Sequence, residues 1–341
     1  MVVKALQPEI FGRRCVLLEY FIAIDGGGTK TETLLFDEAG HILCRDVTTG
    51  CNALDIGSEA AKDLLLQAIG RVRRCVPGKV SAVFGGIAGN CHCGHALYKA
   101  LRTQLDVEKL EIWDDTYSVI SSVLGHQDGC GLVAGTGSSL FVRAEGKPCI
   151  HIGGWGYLID TGGSGFDLGC EAVYMALRAI DGRGEKTVLN ELLHRTLHKP
   201  VEESIVEIYA GGRPFIASLA YTVFEGRRMG DAVCEKIFAH GINHLAEMVS
   251  TAAKYYEDQF TVVLGGGLFS ANPEYVEALR AVAPPQAKLL TTDMPVVYGA
   301  AIEALRMAGR TAALSFKQTF FEDYMICRQC PDKPAGKGTS H

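Results

Sequence analysis

Three short glycine-rich segments, each after an apolar run, are the residues of this chain most suited to binding an anion. They are residues 26–30 (Gly-Gly-Gly-Thr-Lys), 135–139 (Gly-Thr-Gly-Ser-Ser) and 265–267 (Gly-Gly-Gly). Because glycine has no Cβ, backbone N–H groups in such loops can converge on a phosphate, and threonine and serine hydroxyls add donors. A hairpin turn explains any single loop equally well, but three loops together favour a phosphate site.

Two common nucleotide motifs do not fit the first loop. A dinucleotide fingerprint needs G-x-G-x-x-G followed by a helix, whereas here strand-like residues follow residues 26–30. A Walker loop needs G-x-x-x-x-G-K-[ST], and Gly-Thr-Lys-Thr at residues 28–31 matches only its end. The loop therefore predicts phosphate binding without a helix N-terminus behind it.

Carboxylates follow two predicted strands. Asp25 precedes the first loop, and Asp114 and Asp115 follow the apolar run 110–113. A carboxylate at the end of a strand in an α/β sheet can accept the proton of a hydroxyl in phosphoryl transfer, or it can cap the next helix. Since neighbouring strand residues point to opposite sides, we expect only one of the pair to face a ligand, and favour Asp115 over Asp114.

Trp155 and Asp160 are candidate ligand-binding residues. The flat face of an indole suits the face of a ligand ring, although a buried core tryptophan is the alternative. A carboxylate at Asp160 suits neighbouring hydroxyls, or it caps the loop before the helix predicted from residue 166.

One predicted pattern begins at residue 21 and again at residue 130: a strand, a Gly/Thr loop, a second strand, a turn and a third strand. Helical periodicity follows each copy, so we predict an α/β fold of two duplicated domains, each with a mixed sheet. The predicted bounds are an extension at 1–20, a first domain at 21–124, a second at 125–309, and a partly disordered tail at 310–341. The last helix of the second domain, about 296–308, is expected to pack back on the first.

Composition excludes several classes of protein. The 341 residues are 48% hydrophobic and 21% charged, and a net charge of −6 argues against nucleic-acid binding. No uncharged apolar stretch reaches the length of a membrane span. Twelve scattered cysteines, several in apolar runs (Cys44, Cys149 and Cys234), predict free thiols and a cytoplasmic location.

The motifs together resemble those of the sugar kinase/actin/Hsp70 ATPase superfamily. They are Asp25-Gly-Gly-Gly-Thr-Lys-Thr, Gly135-Thr-Gly-Ser, Gly154-Trp-Gly and Gly265-Gly-Gly. The chain is most similar to the N-acetylglucosamine kinase and BadF/BadG/BcrA/BcrD ATPase branch, from about residue 21 to 307. The resemblance implies two actin-like (ribonuclease H-like) ATPase domains around a central cleft, and transfer of the ATP γ-phosphate to an amino sugar, N-acetylglucosamine foremost, to give its 6-phosphate.

The resemblance also implies ATP, Mg²⁺ and a homodimer, and it assigns roles to residues. Asp115 becomes the general base, and Asp25 holds Mg²⁺, mostly through water. The residues implied for ATP are Gly26, Gly27, Gly28, Thr29, Lys30, Thr136, Gly137, Ser138, Gly265, Gly266 and Gly267. The residues implied for the sugar are Asn52, Asp115, Gly154, Trp155 and Asp160.

One segment departs from the family. Family members often carry Gly-Asp-Glu-Gly-Ser after Gly-Trp-Gly, whereas this chain has Asp-Thr-Gly-Gly-Ser at residues 160–164. Thr161 and Gly162 thus stand at the usual aspartate and glutamate positions, which puts the identity of the sugar in question. An ATP-hydrolysing activator or switch of the BadF type and a catalytically inactive sugar sensor are the alternatives to a kinase.

Two cysteine motifs are weak metal signals. Cys-His-Cys-Gly-His at residues 91–95 is too compressed for the usual zinc spacing, and the C-x-x-C at residues 327–330 has no second pair. We expect an ordinary loop at the first motif, and no metal at either.

Overall fold

The computed structural model describes residues 19–90, 96–145 and 149–329. They divide into two structural units. Unit 1 contains the described residues up to Gly125 together with those from Met294, and unit 2 contains those from His126 to Asp293. The Cys-His-Cys-Gly-His motif at 91–95 lies outside the described residues, as does the tail beyond residue 329.

The elements alternate between strands and helices along the chain. The strands are β1 (Glu19–Gly26), β2 (Lys30–Asp37), β3 (Ile42–Thr49), β4 (Lys79–Ile87), β5 (Lys109–Trp113), β6 (Gly129–Ala134), β7 (Ser138–Arg143), β8 (Ile150–Ile152), β9 (Phe260–Gly265) and β10 (Ala287–Thr291). The helices are α1 (Ala53–Ile56), α2 (Ser58–Arg73), α3 (Ala96–Gln104), α4 (Asp115–Leu124), α5 (Gly165–Ile180), α6 (Leu189–Leu197), α7 (Ile205–Ser218), α8 (Tyr221–Arg228), α9 (Ala232–Ala252), α10 (Gly267–Ala271), α11 (Pro273–Val282), α12 (Val296–Met307) and α13 (Phe316–Gln329).

The sheet of unit 1 has the order β3-β2-β1-β4-β5. β1, β2 and β3 pair antiparallel, whereas β1, β4 and β5 run parallel, so these three strands end at one edge. Helices cover both faces. Phe21 and Ala23 of β1 pack in a core with α12 and α13, and Ile22 and Ile24 pack in a second core with α2 and α3. Burial on both faces explains the continuous apolar run of β1.

The sheet of unit 2 has the equivalent order β10-β9-β6-β7-β8. β6, β7 and β8 pair antiparallel, and β6, β9 and β10 run parallel. The two sheets thus share one topology, which confirms the predicted repeat and the α/β fold. Unit 2 differs in the long helical stretch α5–α9 between its third and fourth strands.

The core of unit 2 is tied to a loop at the sheet edge. The rings of Phe224, Phe238 and Tyr275 meet edge to face, with centroids 5.1–5.8 Å apart. The Tyr275 hydroxyl donates to the Gly163 carbonyl oxygen at 3.1 Å. The position of the loop at 160–164 therefore depends on core packing.

Helix α13 was missed by the sequence analysis, which assigned residues after 309 to a tail. Its buried residues Phe316, Phe320 and Tyr324 recur every fourth position and pack on β1 and β2 of unit 1. The Tyr324 hydroxyl also lies 3.1 Å from the buried Glu32 carboxylate, which pairs with Arg45 at 2.6 Å. The four-residue spacing of aromatic residues was the available signal.

The prediction that Cys44 is a free thiol is wrong. Cys44 on β3 and Cys75 after α2 form a disulfide, with their Cα atoms 6.3 Å apart. The residues are 31 positions apart, and no local pattern indicated that they would meet. Cys234 is a free thiol, as expected.

Across the three described ranges, no helix combines the length and apolar character that crossing a membrane would require.

A prediction follows from the contact between α12 and α4. Gly299 on α12 has no room for a Cβ, which would collide with the backbone carbonyl of Ser118. Alanine gains about 1 kcal/mol of helix propensity, but relieving such overpacking costs about 1–3 kcal/mol or more. We expect Gly299→Ala to lower the midpoint of thermal unfolding, measured by circular dichroism.

The matched control is Gly70→Ala on α2, where the nearest atom to a new Cβ is the flexible Arg74 side chain at 3.5 Å. Its melting midpoint should stay constant or rise. Equal responses of the two variants would contradict the close α12–α4 packing.

Candidate functional site

The first glycine loop is a β-hairpin connection whose shape is fixed by backbone hydrogen bonds. Gly27 N–H donates to the Lys30 carbonyl at 2.9 Å. The carbonyls of Gly26 and Gly27 accept from Ala88 at 2.7 Å and Cys51 at 3.1 Å. A Cβ at Gly50 would collide with the backbone of Gly28, so the segment after β3 also packs on this loop. Lys30 is 3.3 Å from Glu32, with its side chain 55% exposed.

Three carboxylates lie close together at the carboxyl edge of this sheet. Asp25 is the penultimate residue of β1, and Asp114 and Asp115 link β5 to α4. Gly86 at the end of β4 permits this, because a Cβ there would collide with Ser118 and lie 3.3 Å from the Asp115 Cα. The missing side chain lets the first turn of α4 approach the sheet.

Burial and mutual repulsion shift the protonation of this cluster. Burial, reinforced by the Glu32 carboxylate, raises the pKa of Asp25 to about 7. Burial, followed by the charge and hydrogen bond of Asp114 and the charge of Asp25, raises the pKa of Asp115 well above its usual value. The cluster thus favours a proton or a cation in its midst.

The expectation that Asp114 and Asp115 point to opposite sides is wrong. β5 ends at Trp113, Asp114 occupies the N-cap position with φ −70° and ψ 150°, and Asp115 is the first residue of α4. Strand alternation therefore does not apply, and the two carboxylates lie close enough for Asp114 to raise the pKa of Asp115. Thr116 Oγ1 lies 3.3 Å from one carboxylate and 3.4 Å from the other. The Asp114 side chain makes no capping hydrogen bond.

Cys51 lies beside the carboxylates, and Asn52 follows it in the chain. The buried Asn52 caps α1, since its Oδ1 accepts from Leu54 N–H at 2.9 Å. The Cys51 thiol is fully buried, and its burial, together with the charges of Asp25 and Asp115, raises its pKa to about 11. Asn52 was among the site residues predicted from the sequence, and Cys51 was not.

In unit 2 the second glycine loop joins β6 to β7 and is bonded to the start of α5. The carbonyls of Gly135 and Thr136 accept from the backbone N–H groups of Gly165 at 2.8 Å and Phe166 at 3.2 Å. Ser138 Oγ donates to the Gly162 carbonyl at 2.7 Å. The loop carbonyls are thus directed toward α5, an arrangement that suits a loop whose N–H groups bind an anion.

The third glycine loop adjoins the second at the same sheet edge. β9 ends at Gly265, and Gly266 has φ +99°, which favours glycine. A Cβ at Gly266 would collide with the Ala134 carbonyl at the end of β6, and one at Gly135 would lie 3.8 Å from Gly267 N. The order of parallel strands therefore brings two of the three predicted loops together within unit 2.

Trp155 is exposed on a glycine-built loop, so the alternative of a core tryptophan is wrong. Its side chain is 55% exposed, and Gly153, Gly154 and Gly156 around it all have positive φ. The indole lies against His151, with ring centroids 4.5 Å apart. A Cβ at Gly154 would collide with Ser138, so this loop packs directly on the phosphate-loop candidate.

Asp160 does not cap α5. Ser164 does, with its hydroxyl accepting from Asp167 N–H at 3.1 Å, while Asp167 accepts from Gly163 N–H at 2.8 Å. The Asp160 backbone closes a tight turn onto the Gly156 carbonyl at 2.8 Å. Its partly buried carboxylate has no ion pair or side-chain hydrogen bond within the described part of the chain.

Gly162 stands where family members often carry glutamate, and in this structure it packs against His244, a residue that the sequence did not single out. Gly162 is buried, and any Cβ there would collide with the His244 ring from α9. His244 Nε2 lies 3.1 Å from His240 Nε2, and His240 Nδ1 lies 2.6 Å from Glu171. An imidazole thus occupies the space that a side chain at 162 would need.

Asp25 is the residue expected to hold a cation. In the three described ranges, no group of three or more His, Cys, Asp or Glu side chains is arranged to hold a metal ion. Mg²⁺ needs only one or two carboxylates when phosphates and water complete its shell, and the single carboxylate of Asp25 meets that requirement once it is ionised.

Two curated relatives align with nearly their whole length. The chain is 26% identical over 302 residues to the N-acetylmuramic acid/N-acetylglucosamine kinase of Clostridium acetobutylicum, covering 84% of this chain and 98% of the relative. It is 28% identical over 313 residues to the N-acetyl-D-glucosamine kinase of Dictyostelium discoideum, again covering 84% and 98%.

Solved structures show the same fold. A Chromobacterium violaceum protein, described provisionally as an N-acetylglucosamine kinase, superposes with a TM-score of 0.68 at 22% identity, covering 84% of this chain and 99% of that one. A ROK family glucokinase from Streptomyces griseus, in complex with glucose and AMPPNP, gives 0.58 at 16% identity, covering 84% and 99%. The two units therefore have the actin-like ATPase fold of sugar kinases. Residues 22–304 match the BadF/BadG/BcrA/BcrD ATPase family, and the chain belongs to that family.

Proposed function

We propose that this protein is an ATP-dependent sugar kinase that transfers the γ-phosphate of ATP to a hydroxyl of an amino sugar, N-acetylglucosamine foremost, giving its 6-phosphate. The observation that carries the proposal is the pair formed by the buried Asp114 and the partly buried Asp115, beside Asp25. The names of both curated relatives support the choice of substrate.

In this reaction Asp115 accepts the proton of the sugar hydroxyl. The hydroxyl oxygen forms a bond to the γ-phosphorus, the bond from that phosphorus to the β–γ bridging oxygen breaks, and ADP leaves with the electron pair. Asp115 suits the role because its raised pKa makes it a stronger base than an exposed aspartate. Residues 135–138 and 265–267 are proposed to bind ATP, and Trp155 and Asp160 are proposed to bind the sugar.

Asp25 is proposed to hold Mg²⁺ through water, with residues 26–30 next to the phosphates. When bound, Mg²⁺ neutralises phosphate charge and keeps Asp25 ionised. A homodimer and a cytoplasmic location remain predictions. The free thiols of Cys51, Cys130, Cys170 and Cys234 support the cytoplasmic location, and the Cys44–Cys75 disulfide weighs against it.

The test is ADP release measured with and without N-acetylglucosamine, N-acetylmuramic acid and glucose. A kinase releases ADP only with its sugar. Release without sugar favours the activator or switch alternative, and sugar binding without ADP release favours the sensor.

Asp115→Asn should abolish most of the turnover. The amide keeps the size of the carboxylate but cannot accept the hydroxyl proton, so kcat should fall by about 10²–10⁴. The affinity for ATP, measured by calorimetry, should change little. Wild-type turnover in Asp115→Asn would exclude Asp115 as the base, and an inactive Asp114→Asn beside it would move the role to Asp114.

The pH dependence of kcat/KM for the sugar, at saturating Mg²⁺ and ATP, should report the same group. Asp115 acts ionised, so the rate should fall as pH falls through its pKa, above the value of about 4 that is usual for aspartate. Removing the Asp114 charge lowers that pKa, so Asp114→Asn should move the acid limb to lower pH. If the low-pH fall of kcat/KM stays at the same pH in Asp114→Asn, the titrations of Asp114 and Asp115 are not coupled.

Asp160→Ala should raise the KM for the sugar and leave the KM for ATP unchanged. Losing a hydrogen bond to a charged group costs about 1.5–3 kcal/mol, which is roughly 10- to 150-fold in affinity. The matched control is Ile159→Ala in the same turn, whose side chain is 85% exposed. Equal KM values for the sugar in the two variants would remove Asp160 from the sugar site.

A further inference from the structure

Helix α7 is broken one residue before an arginine. Gly212 has φ +61° and ψ −162°, and Pro214 follows. This backbone conformation is accessible almost only to glycine. Arg213 therefore lies at the break, outside a regular helical turn.

The half of α7 after the break is fixed by close contact with α5. A Cβ at Gly169 would collide with the Ile216 carbonyl, and one at Gly165 would lie 3.2 Å from the Ala217 carbonyl. Two glycines on α5 thus let the backbone of α7 lie directly on it. Since residues 216 and 217 are held in this way, the position of Arg213 a few residues earlier is also restrained.

The Arg213 guanidinium lies between the second glycine loop and an aromatic ring. Its NH2 atom is 2.6 Å from where a Cβ of Gly137 would stand. Its Cζ is 5.3 Å from the centroid of the Tyr157 ring, and Tyr157 packs edge to face on Phe166 at 5.2 Å. Cation–π contact with Tyr157 orients the guanidinium. All these residues belong to unit 2.

We propose that Arg213 binds the phosphate groups of the nucleotide held by residues 135–138. This inference rests on the ATP site of the proposed function. A guanidinium offers several N–H donors in a planar fork that matches phosphate oxygens. The loop itself supplies only the partial charges of its N–H groups, and Arg213 adds a guanidinium in the space that the missing side chain of Gly137 leaves. Neither the glycine motifs nor the family resemblance pointed to this residue.

The test compares binding of AMPPNP with binding of adenosine, both with Mg²⁺, by calorimetry. Arg213→Met keeps the length of the side chain and removes its charge. This variant should bind AMPPNP about 10- to 100-fold more weakly and bind adenosine with nearly unchanged affinity. Arg213→Lys, which keeps the charge but not the planar fork, should lose less. The matched control is Arg195→Met on α6, whose arginine pairs with Glu225 at 2.7 Å and which should bind both ligands as the wild type does.

Two results would overturn the proposal. Wild-type affinity for AMPPNP in Arg213→Met would show that the arginine does not contact phosphate. Equal losses for AMPPNP and adenosine would indicate that Arg213 only shapes the loop. If Arg213→Met does not fold, the proposal is tested by the ratio of the affinities for AMPPNP and adenosine in Arg213→Lys. Binding needs no sugar, so a wild type that phosphorylates no sugar would overturn the kinase proposal and leave this one standing.

Discussion

Crowding of three carboxylates at one sheet edge is the constraint on which the proposed chemistry of unit 1 depends. Asp25, Asp114 and Asp115 lie at the ends of β1 and β5, where parallel pairing through β4 makes the strands finish together. Like charges that are partly buried repel, and the raised pKa values of Asp25 and Asp115 express that cost. A site that holds this charge is suited to accepting the proton of a hydroxyl.

Glycine residues allow neighbouring elements to approach each other closely within each unit. Gly86 admits the first turn of α4 to the sheet, Gly154 lets the Trp155 loop rest on Ser138, and Gly162 leaves space for His244. In each case a Cβ would collide with an atom of the neighbouring element. These glycines thus let neighbouring elements approach closely at the functional loops and bring together groups that lie far apart in sequence.

Local patterns predicted the architecture because strand periodicity and turn chemistry are local properties. The repeated order of strands and loops gave the duplicated sheets, and alternate residues of β1 supplied the two cores. The site was only partly predictable. Asp114 and Asp115 were treated as strand residues because a helix start one residue earlier or later changes which way a side chain points. The Cys44–Cys75 pair and the Gly162–His244 match join distant segments, and no spacing in one sequence encodes such contacts.

The central claim is that phosphate moves from ATP to a sugar hydroxyl. Proton-coupled ³¹P NMR of a reaction with N-acetylglucosamine, ATP and Mg²⁺ tests it most directly. The account predicts a new phosphate monoester signal, split into a triplet by the two protons on C6, that grows in equal amount with ADP. Inorganic phosphate as the only new product besides ADP would contradict the account, because the acceptor would then be water.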